Sequence, residues 1–125
     1  MNKLLAEIVS VLDQYENCRN TQIMETAYFS LEQFAFKIRA TLLSSLTLQI
    51  RIYYNKGHYD YSYQLFSDSP LCRWDNKEHF PRLSTFPHHY HTMEGKIVES
   101  PLKGQPVDDL RVVLEQLENL LKEQT

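Results

Sequence analysis

Residues 33–65 read QFAFKIRATLLSSLTLQIRIYYNKGHYDYSYQL, three apolar–polar alternations separated by turn residues. Phe34, Phe36, Ile38 and Ala40 alternate with Gln33, Ala35, Lys37 and Arg39. Leu46, Leu48, Ile50 and Ile52 alternate with Thr47, Gln49 and Arg51, and Tyr59, Tyr61, Tyr63 and Leu65 with Asp60, Ser62 and Gln64. A period of two means that one strand face is buried and the other is wet. Ser44-Ser45, Asn55-Lys56-Gly57 and Ser67-Asp68-Ser69-Pro70 supply the turns, so the spacing predicts consecutive antiparallel hairpins. A further strand is expected over Leu71–Asp75, a short one over Lys96–Glu99, and a less regular one over Ile23–Phe29.

Outward from the strands, the period becomes 3.6. Leu4, Leu5, Ile8, Val9 and Leu12 form one stripe, with Asn2 as the expected N-cap and a polar break at Asn17–Asn20. Val107, Leu110, Val113, Leu114, Leu117, Leu120 and Leu121 form a broader one, opened by Pro106 and by Asp108 and Asp109 at the positive end of the dipole. Four of the five prolines fall in residues 76–106, which reads largely as loop. Both helices and one sheet face need apolar cover. The expected fold is therefore α+β, an antiparallel meander of about four to six strands with the N-terminal and C-terminal helices packed on one face. It forms one domain over residues 1–125: a helix over 1–16, sheet and His-rich loop over 23–100, and a helix over 106–123.

Composition excludes more than it assigns. With 42% apolar residues, 23% charged and three glycines, the chain is neither low-complexity nor expected to be disordered. It lacks an apolar run long enough to span a membrane, and Glu7 and Asp13 interrupt the start as no secretory signal would, so a cytoplasmic location is expected. Cys18 and Cys72 share no metal-ligand or redox spacing and read as small apolar fillers in a reducing compartment. Three glycines leave no phosphate-cradling loop, and no nucleophile elbow or H-E-x-x-H motif is present. The net charge of −3 divides into acidic ends and a middle, residues 33–91, of net +3. That is far from a nucleic-acid stripe, though enough to meet an anion.

Acid–base capacity near neutrality is concentrated in one segment. Arg73-Trp74-Asp75-Asn76-Lys77-Glu78-His79 and Phe86-Pro87-His88-His89-Tyr90-His91 hold four of the five histidines and the single Trp. In an extended backbone His89 and His91 point to one side and His88 to the other; likewise Arg73 and Asp75 share a face opposite Cys72 and Trp74. Arg73 suits a phosphate, or an ion pair with Asp75. Asp75 suits orientation of an imidazole, Asn76 a turn cap or a substrate contact, and Trp74 the core. His79 is a third imidazole beside the carboxylate. Lys37, Arg39, Arg51, His88 and Tyr90 are the expected substrate contacts around them.

The composite pattern R-W-D-N-x-x-H followed by F-P-H-H-x-H, here Arg73–His79 and Phe86–His91, resembles the TumE-type toxin family of prokaryotic toxin–antitoxin systems. The resemblance covers residues 33–121. The chain departs from the family pattern at Phe80, where a second histidine is usual, and at Tyr90, where a basic residue is usual. The resemblance implies a small α+β toxin paired with a cognate antitoxin, often a helix-turn-helix DNA-binding protein.

Together these readings predict a ribonuclease that needs no metal or other cofactor. RNA carries its own nucleophile, so the enzyme supplies a base, an acid and a cation for the transition state. The expected catalytic set is His89 and His91 as acid and base, Arg73 as phosphate clamp, and Asp75 and His79 beside them. Two alternatives stay open: a non-catalytic module binding RNA, nucleotide or protein, and a metal-dependent hydrolase using Asp75, His79, His88, His89 and His91. A seam through Val113, Leu117 and Leu120 is a candidate for a homodimer or for antitoxin docking.

Overall fold

The computed structural model of the chain describes residues 1–123. Helix α1 (Asn2–Asp13) leads into strands β1 (Cys18–Ser30), β2 (Gln33–Leu42), β3 (Thr47–Asn55), β4 (His58–Phe66), β5 (Pro70–Asp75), β6 (His89–His91) and β7 (Ile97–Glu99), and α2 (Pro106–Glu123) follows. The strands form one seven-stranded sheet in chain order, each antiparallel to the next. The α+β meander with terminal helices is thus present, with one strand more than the upper expectation. The extra pairing has two sources. β1 starts at Cys18 and runs as an edge strand, exposed on most of its length, with register shifts at three places. Bulges break the period of two and an exposed edge imposes none. β6 and β7 are three residues each, too short to show a period.

The alternation sorts the residues as expected. Phe34, Phe36, Ile38, Ala40, Leu48, Ile50, Ile52, Tyr61, Tyr63, Leu65 and Trp74 join Ile8 and Leu12 of α1 and Leu110, Val113 and Leu117 of α2 in one core. Both helices therefore cover the same sheet face. Val113 and Leu117 are fully buried in this core and Leu120 packs against it, so the stripe considered for a partner is largely used inside the chain.

Helix α1 ends at Asp13 rather than near residue 16, and its N-cap is Met1, not Asn2, with no side-chain cap. Tyr15 and Asn17 lie beyond it because both donate hydrogen bonds to Glu118 of α2, the tyrosine at 2.7 Å. That tie stops the helix and fixes its exit. The β3–β4 turn places Lys56 at φ 47° and Gly57 at φ 87°, with Asn55 opposite His58. Both central residues at positive φ define the primed two-residue turn, whose twist matches the flanking strands.

Trp74 is fully buried, stacked on Tyr90 with ring centroids 4.6 Å apart, and its Nε1 donates to Gln116 of α2 (2.8 Å). Tyr63 donates to the Pro106 carbonyl (3.0 Å) at the start of α2. The sheet thus fixes α2 by buried polar bonds as well as by apolar contact.

Candidate active site on the open sheet face

With the helices on one face, cross-strand register decides what lines the other. Directly opposed residues in an antiparallel pair project to the same side. One row runs Glu25, Lys37, Arg51, Ser62, Asp75, His89; the next runs Arg39, Gln49, Gln64, Arg73, His91. The pairing of β6 with β5 therefore brings two imidazoles beside a guanidinium and a carboxylate, although 13 residues of loop separate the two strands. The rows floor a groove of about 970 Å³ that runs from Glu25 and Lys37 to Arg73, Asp75 and His79.

At the groove's end the four side chains are mutually bonded. Arg73 Nε donates to Asp75 Oδ2 (2.7 Å). Asp75 Oδ1 lies 2.9 Å from His89 Nε2 and accepts the Lys77 backbone N–H (3.0 Å). Arg73 Nη2 is 3.1 Å from His91 Nε2, which is itself 3.1 Å from His89 Nε2 and 3.5 Å from Asp75 Oδ2. His89 Nδ1 lies 3.1 Å from the Pro87 carbonyl oxygen.

Both nitrogens of His89 face groups that only accept, Nδ1 the Pro87 carbonyl and Nε2 the Asp75 carboxylate. His91 Nε2 lies against the donor Arg73 Nη2, so it presents its lone pair there. Burial pushes the His91 imidazole below its ordinary range, the Arg73 charge pushes the same way, and Asp75 opposes them. The cluster is then a buried histidine–carboxylate pair beside a second imidazole and a guanidinium.

Exposure separates these groups by role. Asp75 and His89 are each 2% exposed, while the side chains of His91 and Arg73 are 26% and 39% exposed. Arg73 and Asp75 line the groove; the partly exposed His91 and the buried His89 lie beside its end. Phe80, a departure from the family pattern, packs against the two imidazoles. Its ring meets His89 edge-on at 4.7 Å and His91 at 6.0 Å.

The other expected site residues are distributed as follows. His79 lines the same groove, with its ring against Phe80 at 6.2 Å. His88 points to the helix side, 2.8 Å from the Tyr61 hydroxyl, and burial lowers its pKa. Tyr90 is on that side too, stacked on Trp74. The structure therefore separates His88 and Tyr90 from Arg73 and His91. Asn76 is buried and spends its amide on β4: Oδ1 accepts the Tyr61 N–H (3.0 Å) and Nδ2 donates to the Tyr59 carbonyl (2.8 Å). Lys37 pairs with Glu25 (3.0 Å), which holds that exposed carboxyl below its ordinary value. Arg39 donates to Gln49 (2.9 Å) and lies over the Phe66 ring. Arg51 is exposed between them and the cluster.

A family model described as Toxin TumE matches residues 8–125. The match takes in β1 and part of α1, beyond the segment that the strand and histidine motifs alone suggested. No curated protein and no solved structure matches the chain.

Proposed function

The chain belongs to the TumE toxin family, and from that premise we propose that it is the toxin of a toxin–antitoxin pair and acts as a ribonuclease at the Arg73–Asp75–His89–His91 cluster. The observation that carries the proposal is the convergence of guanidinium, carboxylate and two imidazoles at one end of an open groove. Location in the cytoplasm follows from that reading, and no helix among the described residues is long and apolar enough to cross a membrane.

The chemistry is an internal phosphoryl transfer within RNA. Arg73, the exposed cation of the cluster, binds the scissile phosphate through its guanidinium. His91 Nε2 takes the proton of the neighbouring 2′-hydroxyl. The 2′-oxygen bonds to phosphorus as the bond to the 5′-oxygen breaks. His91, now positive beside Arg73, is a strong acid and delivers the same proton to the departing 5′-oxygen. Asp75 and His89 do not touch substrate; they position the two groups that do. Lys37 and Arg51, along the row that ends at Asp75, supply charge for neighbouring phosphates.

The test is expression without antitoxin. His91→Ala and Arg73→Ala each relieve growth arrest while the proteins stay folded, and each lowers RNA cleavage by about 10²–10⁴-fold, the span a general acid–base or clamp contributes. Full toxicity in both variants would remove the assignment. Cleavage of many RNA molecules per protein distinguishes the enzyme from a binder, which saturates at about one.

A further inference from the structure

Three acceptor atoms converge in the cluster, and the groups that now neutralise them can be exchanged. We infer that Asp75, His89 and His91 form a site for a divalent transition-metal ion, occupied in exchange for the Arg73 hydrogen bonds. The ligand atoms of the three residues all lie within 4.8 Å of one another, and among the described residues they are the one His/Cys/Asp/Glu group with that arrangement. The close pairs are 2.9 Å (Asp75 Oδ1 to His89 Nε2), 3.1 Å (His89 Nε2 to His91 Nε2) and 3.5 Å (His91 Nε2 to Asp75 Oδ2).

Those are the spacings of ligands around an ion. Bonds of about 2.1 Å, usual for zinc with nitrogen or oxygen ligands, set neighbouring donors about 3.0 Å apart at octahedral angles and about 3.4 Å at tetrahedral ones. An ion seated there takes one donor atom from each of the three residues. Outer support is already built. His89 Nδ1–H is held by the Pro87 carbonyl, which presents Nε2 as the ligand atom. Asp75 Oδ1 accepts the Lys77 N–H. Two imidazoles and one carboxylate suit Zn²⁺, Co²⁺ or Fe²⁺ rather than Mg²⁺ or Ca²⁺, which prefer all-oxygen sets.

Arg73 is the competitor. Its N–H groups occupy Asp75 Oδ2 and His91 Nε2, two of the atoms the ion needs. Its side chain is more than one-third exposed and can move into solvent. Metal and guanidinium therefore exclude one another at these atoms. On the cleavage reading above, the ion takes the His91 lone pair that serves as base, so it switches the site off; this consequence rests on that reading, whereas the binding does not.

The experiment is a Co²⁺ titration of the full chain, followed by visible absorption with RNA absent and with Zn²⁺ as the competing ion. Wild type gives a saturable ligand-field band that Zn²⁺ displaces. His91→Ala weakens binding by about 10–100-fold or more. His58→Ala, on the distant β3–β4 turn, leaves it unchanged. Arg73→Ala tightens it by about tenfold, since a like charge close to the ion is removed. This gain is a result that damage to the fold would not produce. Absence of the band in wild type, or an unchanged band in His91→Ala, overturns the site; unchanged or weaker binding in Arg73→Ala overturns the exchange. Inhibition of RNA cleavage by Zn²⁺, reversed by chelator, is measured separately, so a chain that binds Co²⁺ and cleaves no RNA rejects only the cleavage reading.

Discussion

Removing the Asn76 amide tests how the end of β5 is held. β5 stops at Asp75, yet β4 continues past that point, and Tyr61 and Tyr59 direct an N–H and a C=O at the position where a strand should be. The buried Asn76 side chain fills both needs, at 3.0 Å and 2.8 Å. It acts as a short extension of the ladder. Asn76→Ala leaves the two backbone groups without partners, and each unsatisfied buried group costs about 1–3 kcal/mol. Partial entry of water offsets some of this, so the expected loss is about 2–4 kcal/mol. With a urea dependence of about 1–3 kcal/mol per molar, the midpoint falls by about 1–2 M. Asn76→Asp keeps an acceptor for the Tyr61 N–H but sets a carboxylate oxygen against the Tyr59 carbonyl, so at neutral pH it rescues nothing. The assay is urea unfolding of the three proteins, with the slope checked for constancy. An alanine variant within about 0.5 kcal/mol of wild type, or an aspartate variant as stable as wild type, would refute the ladder-extension argument.

The start of α2 offers a second perturbation. Asp109 is buried and accepts the backbone N–H groups of Lys103 (2.9 Å) and Gly104 (2.8 Å), so Asp109→Ala should cost about 2–4 kcal/mol in urea unfolding. High pH is a third. Burial and then Glu118 push the Tyr15 phenol up to about 12, and burial raises Tyr61 and Tyr63 too. The folded chain then keeps protons that the unfolded chain has released, so the tyrosine contribution to stability should be constant below pH about 10 and fall as pH climbs from there toward about 12. Unfolding followed against phenolate absorbance checks this; stability that rises in the window reverses the sign.

How much of this was legible depends on whether a residue's role is periodic. Residues 33–65 contain β2, β3 and all of β4 but Phe66, and their alternation fixes the face of Lys37, Arg51 and Ser62 before any coordinates. The same rule puts Arg73 and Asp75 together, His89 and His91 together, and His88 apart, as found. Pairwise register between β5 and β6 is another matter. Three residues across a loop with two prolines carry no periodic signal, so the meeting of the two halves of the site was a wager on topology. Asn76 shows the limit from another side. Asp-Asn at a strand end reads as a turn cap, because nothing in composition tells a side chain that closes a turn from one that continues a ladder. Phe80 stands out in sequence only as a departure from the family pattern: one apolar residue between His79 and Pro81 has no periodic partner to show that its ring meets His89 and His91.

The arrangement of exposure supplies one more step. A catalytic set built only to cleave would gain from placing both imidazoles at the surface, where each can reach substrate. Here His89 is buried with Asp75 beside Phe80, and of the four side chains only His91 and Arg73 are appreciably exposed. Burying a histidine and a carboxylate together is costly unless their polar atoms find partners. That condition is met by the Pro87 carbonyl, the Lys77 N–H and Arg73. Removing any one of these three exposes the cost. Asp75→Asn should therefore disturb His89, His91 and Arg73 together, and double variants with Arg73→Ala should lose much less stability than the sum of the single ones. Additive losses would mean that the four side chains are neighbours rather than one unit, and the division of labour between the exposed pair and the buried pair would have no physical basis.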